Sequence, residues 1–270
     1  MSATTHPGTD REYQLDSGTD LGREQLGYLE TLLDRHTLYA LDAVGVRPGH
    51  RCLDLGAGSG SISRRLGERV APSGSVRAVD IETRHLTGMP AGVEVLRHDI
   101  NDGVPGGPYD IIHARLLLMH LTRRAEILRE LAGALAPGGW LVIGEYVGPQ
   151  RYVLAAPGGE DEALFHRVQR VAHGRAQAGG ISYTWAHEVA THMAAAGLVD
   201  VYGTDHRHTA DGGTTACLLS WNYIAQLEPR LLAAGFTADE LDRYHALMRD
   251  PRFRAWFYPF VSTRGRTPAA

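Results

Sequence analysis

RCLDLGAGSGSIS, residues 51–63, decides the fold. A short apolar strand at 52–55 runs into a glycine-rich turn, and the turn opens a helix over 61–70. Read outward from there, strands and helices alternate. Further strands are expected at 76–79, 93–96, from Ile111-Ile112, and at 141–144. A helix is expected over 121–135, stopped by Pro137-Gly138-Gly139. Strands separated by helices imply parallel pairing and a three-layer α/β sheet. Upstream, 20–44 has helical periodicity carried by Leu26, Leu29, Leu33, Leu38 and Leu41, behind a flexible arm at 1–12. Downstream of Tyr146 a long polar loop leads to helices at 162–176 and 184–196, the second capped by Thr184 and ended by Gly197. A strand at 199–202, a helix from the capping box Thr237–Glu240 to about Met248, and an aromatic strand at 253–261 complete the pattern.

The turn Gly56-Ala-Gly58-Ser-Gly60 spaces its glycines as G-x-G-x-G. It lacks the third glycine or alanine of the dinucleotide fingerprint, and no Lys follows as in a phosphate-cradling loop. It brings backbone close to a ligand without requiring a pyrophosphate. Asp80, ending the second strand, lies where a carboxylate grips ribose hydroxyls, and Asp99, ending the third, is placed to meet an adenine amine. Each feature alone has a bland architectural reading. Three of them at the carboxyl ends of consecutive strands mark a ligand crevice.

Composition narrows the classes. The 270 residues fit one domain with elaborations: an arm and helical lid at 1–47, a core at 48–146, and cap insertions plus final strands of the same sheet at 147–270. All 27 basic residues are Arg, and against 31 acidic residues the net charge is −4, with no dense basic run. Nucleic acid is therefore not an expected partner. Cys52 and Cys217 are too few and too far apart for a disulfide framework. Neither a leader nor a membrane-length apolar run is visible, so a cytoplasmic protein is expected.

The segments LDLGAGSGSIS, VRAVDIE, VLRHDI, YDIIHARLLLMHL and LAPGGWLVIGE resemble, in order and spacing, the class I S-adenosylmethionine (SAM) dependent methyltransferases. Within that class the chain is similar to the actinobacterial natural-product branch, and loosely to ubiquinone/menaquinone methyltransferases. The resemblance implies a Rossmann-like three-layer sandwich with a mostly parallel seven-stranded sheet, an N-terminal helical lid and a helical cap. It also implies SAM as cofactor and S-adenosylhomocysteine as product. By the same resemblance, Gly56, Ala57, Gly58 and Gly60 wrap the methionine and ribose portion. Asp80 holds the ribose diol, Ile81 packs on adenine, and Asp99 and Ile100, with His98 beside them, flank the adenine amine and ring. His113 and Ala114 line the site near the transferable methyl. Tyr13 and Arg23 are lid residues, Arg23 aimed at the cofactor carboxylate.

SAM carries its own leaving group, so the protein must hold a nucleophile in line and, for some acceptors, remove a proton. The candidates are Glu145 and Tyr146, ending the fifth strand, and His166 and His173, seven residues apart on one helix face. Relatives often show an acid where Tyr146 stands. Phe165, Tyr183, Trp185, Trp221 and Tyr223 are expected to form a largely apolar cap suited to a small organic acceptor. His120 reads as packing at a helix start. His206 and His208 lack partners at ligand spacing, so no metal is expected. The expected function is methyl transfer to O, N or C of a small molecule in specialised metabolism. Methylation coupled to cyclisation or rearrangement stays open, as does a non-catalytic SAM-binding regulator. A homodimer is left open.

Overall fold

The computed structural model describes residues 19–148 and 152–269. Along the chain come α1 (Asp20–Ala43), β1 (Arg51–Leu55), α2 (Ser61–Val70), β2 (Ser75–Asp80), β3 (Val93–Arg97), β4 (Tyr109–Arg115) and α3 (Arg124–Gly133). They are followed by β5 (Leu135–Tyr146), β6 (Val153–Ala155), α4 (Gly159–Ala178), α5 (Trp185–Ala195), β7 (Val199–Asp211), α6 (Thr215–Leu232), α7 (Ala238–Leu247) and β8 (Arg254–Arg266). Thr19 caps α1 by accepting the Gly22 N–H at 3.0 Å. Thr237 and Glu240 form the expected capping box of α7.

The sheet runs β3-β2-β1-β4-β5-β8, and β1 to β5 are parallel. β8 enters antiparallel. It is paired along its whole length by β7 on one edge, while β5 and the short β6 share the other. The sheet thus holds eight strands where seven are expected, yet it is seven lanes wide, because β6 prolongs the lane of β5.

Period-two alternation divides the apolar residues between two faces. Cys52, Val76, Ile111 and Val142 pack with Leu41 of α1 and Ile62 and Leu66 of α2. Leu53, Leu55, Ile112, Leu141 and Ile143 pack with Ile127 and Leu131 of α3 and Val189 and Met193 of α5. A third cluster joins Phe165 of α4, Ile224 and Leu227 of α6, Tyr244 of α7 and Phe257 of β8. This is the cap, and Leu32 of α1 packs against it.

Several boundaries differ from the sequence expectation. The helix over 121–135 is shorter, preceded by a 3-10 turn at Leu118–His120. Pro137-Gly138-Gly139 sits inside β5, in a register shift between the Tyr109–Leu135 and Ile111–Trp140 pairs, so the tripeptide signals a bulge and not a helix stop. Thr184 makes no side-chain cap to α5. β7 continues nine residues past Tyr202 and β8 five past Val261, because each supplies the other's ladder. β6 lies within the stretch expected to be loop, and α6 was not expected at all. α6 buries Ser220 and Asn222 beside its apolar residues and carries Pro229, which blurs its helical period.

Candidate active site

The glycine turn is built from left-handed backbone. Gly56, Gly58 and Gly60 have φ of +66°, +56° and +82°. Gly56 and Ala57 donate their N–H groups to the Val79 carbonyl at 2.9 and 3.1 Å, which ties the turn to the end of β2. The three glycines have different neighbours. A Cβ on Gly60 would overlap Met89 and Leu86, and one on Gly56 would press on Leu117. A Cβ on Gly58 would lie 3.3 Å from Leu26 of α1. Gly58 also donates its N–H to Asp80 Oδ2 at 2.8 Å, and Glu82 donates to Oδ1 at 3.0 Å. Burial lifts the Asp80 carboxyl above the usual aspartate value, while these N–H groups pull it back.

Helix α1 is fastened over this turn by residues four apart on one face. Leu26 lies over Gly58, Glu30 accepts from Ser59 Oγ, and Asp34 accepts from Ser61 Oγ at 3.1 Å. Asp34 also takes Arg115 Nη1, at the end of β4, at 2.8 Å. Sequence reasoning missed Glu30, Asp34 and Arg115. The 26-30-34 spacing was the available signal, but nothing in the sequence said which partner it would meet.

On the adenine side, Ile81 is 54 % exposed beside Asp80, a bare apolar surface at the carboxyl edge. Asp99 caps the 3-10 turn Ile100–Asp102, accepting from the Asn101 N–H and Nδ2, both at 2.9 Å. Ile100 is buried beneath it. His98 Nε2 lies 2.7 Å from the Gly103 carbonyl, so it carries a proton and donates there. The structure does not bring His113 and Ala114 to the crevice surface. His113 is 2 % exposed with Nδ1 2.7 Å from Asp54 Oδ1, and Ala114 closes the opposite face at 0 %. Arg23 is exposed and ion-paired to Asp20 one turn away. Tyr13 lies outside the described residues.

The four polar candidates are separated. Glu145 is fully buried on the α3–α5 side, with Oε1 accepting the Met119 N–H at 3.2 Å. Burial pushes its carboxyl up to about 8, so it is largely protonated at neutral pH. Tyr146 stands edge-on to Phe260 at a centroid separation of 6.0 Å. His166 is half-exposed, 3.8 Å from Glu162. His173, one heptad on, is buried, and its ring lies 5.1 Å from Tyr183 and 6.1 Å from Tyr223. Tyr183 packs against Gly148, just past the end of β5, and its carbonyl accepts the Gly148 N–H at 3.3 Å. Tyr223 belongs to α6, whose Asn222 donates to the Leu21 carbonyl of α1 at 3.0 Å. His173, Tyr183 and Tyr223 therefore cluster between the carboxyl edge of β5 and the first turns of α1. Trp185 is not in the cap; it is buried against α3 and α5 below the sheet. Trp221 packs against the cap cluster from α6, with the Arg249 guanidinium 4.3 Å over its ring.

The sequence and the fold are matched by known proteins. A family model described as a methyltransferase domain matches residues 26–202. The chain belongs to the methyltransferase-domain family. Its class is the class I SAM-dependent one that the sequence motifs indicate. The ubiquinone/menaquinone biosynthesis C-methyltransferase of Ectopseudomonas mendocina is 28 % identical over 127 residues, 43 % of this chain and 50 % of that one. The chain thus spans about half the length of the curated relatives it matches. Among solved structures, phosphoethanolamine N-methyltransferase 2 of Haemonchus contortus has a TM-score of 0.55 at 17 % identity, covering 97 % of this chain and 61 % of that one. The [4+2]-cyclase SpnF has a TM-score of 0.51 at 16 % identity, covering 88 % of this chain and 81 % of that one. These likenesses show a shared Rossmann-like methyltransferase fold.

Proposed function

We propose that this methyltransferase-family protein binds SAM at the glycine turn and transfers its methyl to O, N or C of a small organic acceptor in specialised metabolism. One observation carries the reading. The left-handed Gly56–Gly60 turn, Asp80 and the exposed Ile81 form a continuous cradle at the carboxyl ends of β1 and β2, under Leu26 of α1. Backbone at Gly58 can approach a ligand as no side chain would allow. Asp80 can accept from a ribose diol, and Ile81 offers a face to an adenine ring. Support comes from the Haemonchus enzyme, which holds S-adenosylhomocysteine on this fold.

When bound, SAM supplies an electrophilic methyl and leaves as a neutral thioether. The protein's own part is to hold the acceptor and to exclude water. α1 roofs the cradle through Glu30 and Asp34, and the cap encloses the acceptor side with Tyr146, Tyr183, Tyr223 and His173. Positioning of this kind supplies much of the rate of a displacement. Glu145, Tyr146, His166 and His173 remain the candidates for moving a proton.

The SpnF likeness favours one second reading: cyclisation or rearrangement with SAM bound but no methyl moved. Incubating the protein with SAM and a metabolite panel, then weighing the products, separates the two. A gain of one methyl mass is the expected result. Isomerisation at constant mass would replace transfer with the second reading. Calorimetry showing no 1:1 binding of SAM would overturn both.

A further inference from the structure

His173 is the histidine candidate whose tautomer the fold dictates. Its Nδ1 lies 2.6 Å from the main-chain carbonyl of Gln169. A carbonyl only accepts, so Nδ1 carries the proton, and in the neutral ring Nε2 carries the lone pair. Gln169 cannot drift. Its Nε2 donates to Ser220 Oγ of α6 at 3.0 Å and to the Tyr244 hydroxyl of α7, and Ser220 and Tyr244 are themselves 2.8 Å apart. The α4 carbonyl thereby sets the imidazole in one tautomer, and the Gln169 amide ties that turn of α4 to α6 and α7, a second layer of support that a merely space-filling histidine does not need.

Two of the other candidates stand in different surroundings. Glu145 is buried against the 3-10 turn at Leu118–His120, with Oε1 taken by the Met119 N–H, and His166 faces Glu162 near solvent. The chemistry around His173 also narrows the acceptor. Among the described residues Tyr183 and Tyr223 lie beside its ring, an aromatic wall with neutral polar tips. A carboxylate acceptor would want a cation and no base, and Arg115 at the end of β4 is spent on Asp34 and Thr37. An ammonium would set a second positive charge beside the sulfonium and would want an ionised carboxylate, and Asp34 is paired with Arg115 while burial keeps Glu145 neutral. A neutral base against aromatic walls suits a planar hydroxyl compound.

We infer that His173 is a catalytic residue, the general base for an aromatic or enolic hydroxyl acceptor, and that the cap selects such acceptors through Tyr183 and Tyr223. The inference deepens the methyl-transfer reading and rests on it. The acceptor's O–H bond breaks and its proton passes to Nε2. The oxygen lone pair closes on the methyl carbon, and the carbon–sulfur pair remains on sulfur. The imidazolium then returns its proton to water.

The test has two arms on the full chain. In the first, 4-nitrophenol is titrated with the protein in the absence of SAM, at a pH where the free phenol is mostly neutral. The yellow phenolate band is expected to grow on binding to the wild type and not to His173→Asn. Asn keeps a donor toward the Gln169 carbonyl but has no basic nitrogen; His173→Gln serves should the Asn variant not fold. In the second arm, wild type and variant methylate a series running from phenol to 4-nitrophenol, with SAM affinity measured by calorimetry. The variant is expected to bind SAM as the wild type does, to lose about 10²–10⁴ in kcat on phenol, and to recover to within about tenfold on 4-nitrophenol that is already ionised. The acid limb of the pH–rate profile is expected to vanish in the variant. An equal loss on ionised and neutral phenols, or a phenolate band that survives the substitution, would overturn the base role. Methylation of amines or carbon acceptors but of no hydroxyl would overturn the acceptor class. Either result leaves methyl transfer standing, whereas absence of SAM binding to the wild type would overturn the two together.

Discussion

Between Gly56 and Asp80 the chain is held by main-chain hydrogen bonds to Val79 and Asp80 and by left-handed glycines. Between Leu164 and Phe257 it is held by side chains: Phe165, Ile224, Leu227, Tyr244 and Phe257 from four elements meet in one apolar cluster. The first region depends on what is missing from the side chains, and the second on their bulk. The consequence is a division of labour. The cofactor side tolerates little change in backbone, because φ near +60° and a close approach leave no room for a Cβ branch. The cap tolerates different apolar residues of similar volume, so it is the part free to be reshaped for an acceptor. Among the described residues α1 joins the two, through Leu26, Glu30 and Asp34 on one side and Leu32 on the other.

That contrast can be broken by substitution. Gly58→Val combines a disfavoured φ of +56° with a Cβ against Leu26. It is expected to abolish SAM binding and activity, with the fold preserved by circular dichroism. Full activity in that variant would remove the basis of the division. Phe165→Ala is the mirror experiment. The ring is fully buried, so its loss should cost about 3–5 kcal/mol in urea unfolding. SAM affinity in the folded variant should stay within about twofold; a larger loss would mean the cap also shapes the cofactor side.

Asp80→Ala removes the acceptor of the Gly58 and Glu82 N–H groups together with the partner for the ribose diol. A weakening of SAM binding by about 1.5–3 kcal/mol is expected by calorimetry, with Asp80→Asn in between. Unchanged affinity in the folded Ala variant would take Asp80 out of the site.

Glu145 and His36 sharpen the comparison through pH. The Glu145 carboxyl rises from 4.5 to about 8 in the folded chain, so folding favours its neutral form and stability falls as pH climbs through that window. Glu145→Gln should therefore gain on the wild type between pH 5 and 8, on the order of 2 kcal/mol at the upper end, with the difference closing near pH 4.5. His36, stacked on His206 at 4.1 Å, is lowered to about 4 by burial first and by His206 next. A lowered histidine holds stability above 6.5 and loses it as pH falls toward 4, so His36→Gln should flatten the acid side of the melting-temperature profile. A parallel shift of either curve at all pH values would show that titration is not the cause. The smallest effect belongs to His166→Ala. Its exposed pairing with Glu162 predicts a change in stability within roughly 0.5 kcal/mol, checked by the same melts, and rates close to wild type.

What the sequence carried by itself was local and periodic. Alternating strands and helices, the glycine turn and the Thr237–Glu240 box each depend on neighbours a few residues away, and their positions in the fold follow. Asp80 was legible because a carboxylate at a strand end has one natural neighbour, the turn before it. The tertiary structure decided everything that depends on distant partners. β7 and β8 run to thirteen residues because they pair with each other, although the polar stretch at 203–211 has little strand character of its own. Trp185 and Tyr183, two residues apart, meet different neighbours: Trp185 is buried within the α3–α5 core, while Tyr183 packs on the margin of that core and sets its ring beside His173. His166 and His173 share a helix face yet differ in burial, because α6 and the chain around Tyr183 cover only the second. Periodicity states which residues point the same way. What waits in that direction, water or Gln169 with two tyrosines, is settled only when elements far apart in sequence are packed together.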